Sequence, residues 1–230
     1  MKPGVIRSNS FVDDAAWVIL ESAQAAIEAR GCFRLALSGG NTPRPVFSRL
    51  AEIGWELPWD KVVFTFSDER CVPPEDEQSN FRMAKLALLD RVAAPSRVLR
   101  IRGELPPRDA ADEYEQKLAD LASESGETRY THDLLLLGLG DDGHTASLFP
   151  GTEALGEMQR NVVANFVPKF STHRITFTFP LINAARHVCF LVNDAKKDRI
   201  ISEILAGGPT DYPAARVKPE NGRLTWLLGS

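Results

Sequence analysis

Residues 134–137 are four consecutive leucines, and Gly138-Leu139-Gly140-Asp141-Asp142-Gly143-His144 follows them without a break. A strand points successive side chains to opposite faces, so an unbroken apolar run leaves no face for water. Such a strand has to be covered on both sides. "KVVFTF", residues 61–66, reads as a second buried strand of this kind. Strands buried on both faces belong to parallel sheets with helices above and below.

The remaining pattern agrees. "SFVDDAAWVILESAQAAIEARG" predicts a helix with Ser10 as N-cap, Asp13 three residues on, and Gly31 closing its end. "FRLALSGG" is a strand that runs into a glycine turn, and "TPRPVFSRLAE" restarts a helix with Pro43 in its first turn. "SNFRMAKLALLD" predicts a helix that Ser79 can cap. "SRVLRIRG", residues 96–103, is expected as a strand, and "RDAADEYEQKLADLAS" as an amphipathic helix. "NVVANF", "HRITFTFP" and "HVCFLVND" are expected strands. "DAKKDRIISEILAG" is an expected helix ended by Gly207-Gly208, and "GRLTWLL" a last strand. Strand and helix alternate from end to end, with no linker, repeat or composition break. The expectation is one α/β domain over residues 1–230, a doubly wound, mostly parallel, Rossmann-like sheet in three layers.

Composition narrows the function classes. The net charge of −4 gives no reason for sequence-independent attraction to nucleic acid or an anionic membrane. "MKPGVIRSNS" has no apolar signal region and no segment is long enough for a membrane helix, so a cytoplasmic chain is expected. Cys32, Cys71 and Cys189 are scattered among apolar residues and read as free buried thiols. No C-x-x-C and no helically spaced histidine pair suggests a zinc site.

In doubly wound sheets ligands gather beyond the carboxyl ends of the strands. Three such ends carry unusual loops: "SGGNTP", "SDERCVPP" and "GLGDDGH". In the first, Gly39 and Gly40 free the backbone, while Ser38, Asn41 and Thr42 add donors ahead of a helix N-terminus. That combination makes an anion cradle suited to phosphate. In the second, Arg70 offers a planar fork to phosphate or carboxylate, and Asp68 and Glu69 either hold that fork or bind sugar hydroxyls. Ser79 and Asn80 either fold back over the same pocket or simply begin the next helix.

The third loop has the G-x-G-x-x-G spacing of a dinucleotide turn. Yet Asp141 and Asp142 occupy the place of a pyrophosphate, Pro150 cuts short the following helix, and 160–170 has no acid for a ribose. A catalytic role for His144 fits better. Imidazole changes charge near neutral pH and accepts a proton from water, and Asp142 is near enough to influence it by charge or hydrogen bond. A helix N-terminus behind it is expected to favour the neutral ring. Gly143 is placed along the ligand. His132 and His187 flank strands and read as structural or exposed. Arg174, beside His173, enters an alternating strand and is a candidate second clamp for an anion. Lys196 and Lys197 either begin a solvated helix or add a further charge. Asp142 and His144 alone make an incomplete metal site, so no metal is expected.

"ALSGGNTP", "FSDERCVP" with "SN" after it, "LLLLGLGDDGHTASLFPGT" and "RITFTFPLINAARHVCFLV" occur here in the order seen in 6-phosphogluconolactonases. The chain resembles that family from about Leu35 to Trp226. The family is grouped with glucosamine-6-phosphate deaminases and isomerases, which share its fold. The resemblance implies hydrolysis of 6-phospho-D-glucono-1,5-lactone to 6-phosphogluconate, the second step of the oxidative pentose phosphate pathway. It implies no organic cofactor, a small-molecule partner, and a monomer or small homo-oligomer. It makes His144 the general base with Asp142 as partner, sets Gly39, Gly40 and Thr42 along the substrate, and gives Arg70 and Arg174 its anionic part. The turn Asn193-Asp194-Ala195 departs from the family's glycine-containing turn ahead of Lys196 and Lys197.

Two other functions compete. A glucosamine-6-phosphate deaminase would continue the glycine loop toward an Asn-Glu pair that "GHTASLFPG" lacks. A non-catalytic sugar-phosphate-binding protein would be marked by loss of Asp142 and His144, and both are present.

Overall fold

The computed structural model describes residues 3–95, 97–207 and 211–229. Seven strands form the main sheet. Their spatial order is β1 (Gly4–Ser8), β10 (Arg223–Gly229), β9 (His187–Val192), β6 (Leu134–Leu137), β2 (Phe33–Leu37), β3 (Val62–Phe66) and β5 (Arg97–Val98). Every neighbouring pair is parallel. The four leucines of β6 lie near the middle of this sheet and are fully buried, as their unbroken apolar run requires.

The helices are α1 (Phe11–Arg30), α2 (Pro43–Ile53), α3 (Asn80–Ala84), α4 (Pro107–Glu124), α5 (Phe179–Asn183) and α6 (Asp198–Leu205). Helices α1 and α2 pack together. Gly31 ends α1 in the left-handed region at φ 77°, and its N–H reaches the Ile27 carbonyl at 2.8 Å. At the other end Ser10 holds the cap position, but its side chain makes no cap bond. Ser8 braces this end: its Oγ accepts from the Ser10 N–H at 2.9 Å and donates to the Asp14 carboxylate at 2.6 Å. No described helix is long and apolar enough to cross a membrane.

The chain order fixes where a ligand can sit. From β2 it moves outward through β3 to β5, then returns to place β6 on the other side of β2. The switch point therefore lies between β2 and β6, and the loops that leave those two strands flank one crevice.

Four expectations change. First, β7 (Val162–Val167) and β8 (Thr172–Phe177) do not join the main sheet. They form a second, antiparallel sheet with β4 (Asp68–Arg70), in the order β4-β8-β7. Their hairpin end is partly exposed while Ile175, Thr176 and Phe177 are fully buried, and α4 packs against the pair. Ser67 joins the sheets: its N–H reaches the Leu37 carbonyl at 2.9 Å, and its carbonyl accepts from Phe177 at 2.8 Å. Second, the strand expected over 96–103 shrinks to β5, with Ser96 outside the described residues. At the far end of that stretch Gly103 packs tightly on β4, where an added Cβ would lie 2.1 Å from the Arg70 carbonyl oxygen.

Third, an edge strand, β1, stands where none was expected; it has one neighbour and four exposed residues, so it carries no buried pattern to read. Fourth, no helix follows Gly143. Residues 141–150 form turns, with Thr145 bridged to Leu148 and Ala146 at φ 47°. The helix at 198–205 ends before Gly207, and Gly208 lies outside the described residues.

Candidate active site

The crevice at the switch point is a cleft of about 350 Å³. Ser38, Gly39, Gly40, Asn41 and Thr42 of the loop after β2 line one side of it. Asn80 packs so closely on Gly39 that an added Cβ would lie 1.8 Å from the amide oxygen, and Gly40 sits at φ 101°. Both positions need glycine, for room and for backbone conformation respectively. Thr42 occupies the cap position of α2, but its side chain makes no cap bond. The Ser38 hydroxyl and the Asn80 amide oxygen are buried without a hydrogen-bond partner. Polar atoms buried in that way are costly unless a ligand or water completes them.

Strand β4 separates the charges of "DER" by alternation. Asp68 and Arg70 line the cleft. Glu69 points the other way and neither holds the fork nor meets the cleft. Its oxygens take the N–H groups of Asn80 and Phe81, both at 2.8 Å, and the Ser79 hydroxyl at 3.0 Å. Burial pushes its carboxyl up, against the pull of those backbone donors. Glu69 thus fixes the start of α3, where Ser79 caps the Arg82 N–H at 3.1 Å. Asn80 both follows that cap and faces the cleft, donating to the Asp68 carbonyl at 2.9 Å.

Arg174 of β8 stands directly opposite Arg70 in the antiparallel register, and both side chains line the cleft. Burial, and then the Arg70 charge, push the Arg174 guanidinium down. Its Nε is buried with no partner. Arg70 donates to the Gln78 carbonyl. Two cations held side by side with open donors form a receptor for an anion.

The third loop closes on itself. Gly143 N–H bonds the Gly140 carbonyl at 3.0 Å, and Gly140 N–H bonds the His144 carbonyl at 2.9 Å. With these amides committed and no helix behind them, the turn is no cradle for a pyrophosphate. The missing helix also removes any dipole effect on His144. The imidazole is placed by contacts instead. Its Nδ1 lies 2.5 Å from Asp142 Oδ1. Its ring stacks on Phe149 with centroids 4.0 Å apart. Its other flank lies against Gly140, where an added Cβ would come within 1.9 Å of Nδ1. Nε2 has no partner among the described residues, and His144 lines the cleft.

Asp142 stands behind the imidazole. Burial opposes its ionisation, but the bond and charge of His144, with Lys169 beside it, outweigh burial and bring its carboxyl down to about 2. Gly143 does not line the cleft. It faces the Tyr212 ring, 2.4 Å from where a Cβ would stand, and at φ 75° it serves the turn. Ser147 pins the next turn by donating to Asp68 Oδ2 at 2.6 Å, while Thr176 and Asn165 of the small sheet hold its backbone. The second sheet is therefore the support of the turn that carries His144.

Lys197 reaches the cleft, donates to the Leu139 carbonyl and lies 3.7 Å from Asp141; Lys196 is exposed. His132 and His187 are buried on Thr65 and Thr225, at 2.9 and 3.0 Å. Only Cys189 is fully buried, whereas Cys32 and Cys71 are half-buried. Burial raises the thiols of Cys71 and Cys189 to about 11 and about 12, which leaves neither as a ready nucleophile. Sequence reasoning missed Phe149, Lys169 and Phe170 in the cleft wall. Phe149 stood within the quoted motif, but Lys169 and Phe170 had no signal beyond their place between two expected strands.

The sequence and the fold match known proteins along nearly the whole chain. The chain belongs to the family of glucosamine-6-phosphate isomerases and 6-phosphogluconolactonase, whose model matches residues 7–226. Within that family it is similar to the 6-phosphogluconolactonase of Synechocystis, with 41% identity over 97% of this chain and 93% of the relative. It is likewise similar to the 6-phosphogluconolactonase of Nostoc, with 40% identity over 92% and 88% of the two chains. The crystal structure of 6-phosphogluconolactonase from Thermotoga maritima superposes with a TM-score of 0.86 at 30% identity, covering all of both chains.

Proposed function

We propose that this chain hydrolyses 6-phospho-D-glucono-1,5-lactone to 6-phospho-D-gluconate, the second step of the oxidative pentose phosphate pathway, with the attacking water activated by His144. The observation that carries the reading is the Asp142–His144 contact at 2.5 Å, set in one cleft with the Arg70–Arg174 pair. The names of the relatives support the same activity.

A phosphate dianion matches two guanidiniums and the glycine loop, and its binding energy orients the lactone for attack. Nε2 of His144 takes a proton from water as the oxygen adds to C1 of the lactone. Asp142 stabilises the imidazolium that forms and keeps Nδ1 protonated. The tetrahedral oxyanion then collapses, the bond from C1 to the ring oxygen breaks, and His144 returns the proton to that oxygen. No covalent intermediate is needed. Ser38, Gly39, Gly40, Asn41, Thr42, Asp68, Asn80 and Lys197 complete the substrate surface in this reading. Residues 1–230 act as one domain, without an organic cofactor, nucleic acid or membrane, as a cytoplasmic monomer or small homo-oligomer.

The test generates the lactone in situ with glucose-6-phosphate dehydrogenase and follows its disappearance against the spontaneous background. Acceleration that is lost in His144→Ala supports the reading. No acceleration, with glucosamine 6-phosphate consumed instead, overturns it.

A further inference from the structure

The hairpin between β7 and β8 reaches the cleft from the small sheet. Its tip, Pro168-Lys169-Phe170, is one tight turn followed by Ser171 at φ 50°. Three contacts tie it to the site. Lys169 Nζ lies 3.1 Å from Asp142 Oδ2. The Phe170 ring meets Phe149 edge-on at 5.7 Å, and Phe149 is the ring stacked on His144. The Arg174 guanidinium sits 5.3 Å from the centre of the Phe170 ring.

Asp142 thus divides its oxygens, with Oδ1 on the imidazole and Oδ2 on the ammonium. A charge-assisted bond to the second oxygen removes the carboxylate's freedom to rotate away from the first. Among the described residues, Lys169 alone bonds Oδ2.

We infer that Lys169 is a positioning residue for the hydrolysis: it holds Asp142 so that Oδ1 stays aimed at Nδ1 of His144. This rests on the reading of His144 as the base. The other charged groups around the cleft are Asp68 and Arg70 on β4, Asp141 on the turn, Arg174 on β8 and Lys197 after β9.

The experiment compares Lys169→Met and Lys169→Arg with the wild type and with His144→Ala, measuring kcat and KM. The lysine side chain is 56% exposed, so both variants should fold. The methionine variant is expected to lose about fivefold in kcat, the scale of an exposed ion pair. Its KM should stay within about twofold of wild type. Lys169→Arg should restore most of the rate. An unmoved kcat in Lys169→Met, with His144→Ala inactive, overturns the inference and leaves the base intact. A raised KM at constant kcat also overturns it, since Lys169 would then be a substrate contact. A wild-type rate in His144→Ala overturns the base reading itself, and the inference with it.

Discussion

Arg70 and Arg174 face each other across the antiparallel β4–β8 register, two cations on the wall of one cleft. Like charges in that position oppose each other until an anion arrives. Arg174→Met should therefore leave the free protein as stable as wild type, or slightly more so. It should also raise KM for the lactone about 10- to 100-fold, the worth of a charge-assisted bond. Thermal melts with and without 6-phosphogluconate check both halves. A stabilisation by product that survives the substitution would remove Arg174 from the anion site.

The stack of Phe149 on His144 and the Asp142 bond fix the imidazole before substrate arrives. His144→Ala should lower kcat by about 10²- to 10⁴-fold, the range of a general base. Product binding, read by calorimetry, should change little, because the phosphate contacts remain. Equal losses in rate and in product affinity would make His144 a binding residue instead.

Gly140 is a sharper probe, because it touches the ring without offering any chemistry. A methyl group there would stand 1.9 Å from His144 Nδ1, so the imidazole must move. Displacement of a catalytic group by about 1 Å costs about 10²-fold in rate. Gly140→Ala should therefore lose activity on that scale while its melting temperature falls only a few degrees. Wild-type turnover in a folded Gly140→Ala would mean that the ring position is not critical.

Acid should weaken the fold through two buried histidines. Burial, helped by nearby arginines, lowers His132 to about 3 and His187 to about 4. In the unfolded chain both take up protons near the ordinary ~6.5. Below that pH the unfolded state binds more protons than the native one, so stability falls as pH drops from 6.5 toward 4 and then 3. Each group contributes at most about 1.4 kcal/mol per pH unit. Urea unfolding between pH 7 and pH 4 should give a shallower decline in His187→Gln than in wild type. Parallel declines would show that other groups carry the acid sensitivity.

Leu135 tests the central strand. It is fully buried and pairs with Ala36 of β2 and Val188 of β9. Leu135→Ala should cost about 2–5 kcal/mol, transfer and cavity combined. A loss under about 1 kcal/mol in the same urea assay would mean that the sheet collapses around the gap.

Much of this molecule could be read along the chain, because the signals were local. The apolar run 134–137 demanded cover on both faces, Gly31 marked a helix end, and Ser79 capped α3. Asp142, the neighbour of His144 within its own turn, was legible for the same reason: only a few residues separate them, so backbone geometry brings them together. Ser10 holds the expected cap position without a side-chain cap bond, while Ser8, two residues earlier, ties the Ser10 N–H to the Asp14 carboxylate.

The tertiary structure alone decided which strands share a sheet. Backbone pairing accepts almost any side chain, and register is set by burial of whole faces. Thus β7 and β8 left the main sheet, Arg174 came opposite Arg70, and Lys169 reached Asp142 across 27 residues of sequence. The motif around His144 promised a helix that the fold replaced with a turn pinned by Asp68, Thr176 and Asn165. Local propensity proposes an element within a few residues, but contacts from distant strands decide whether that element pays its entropy of ordering.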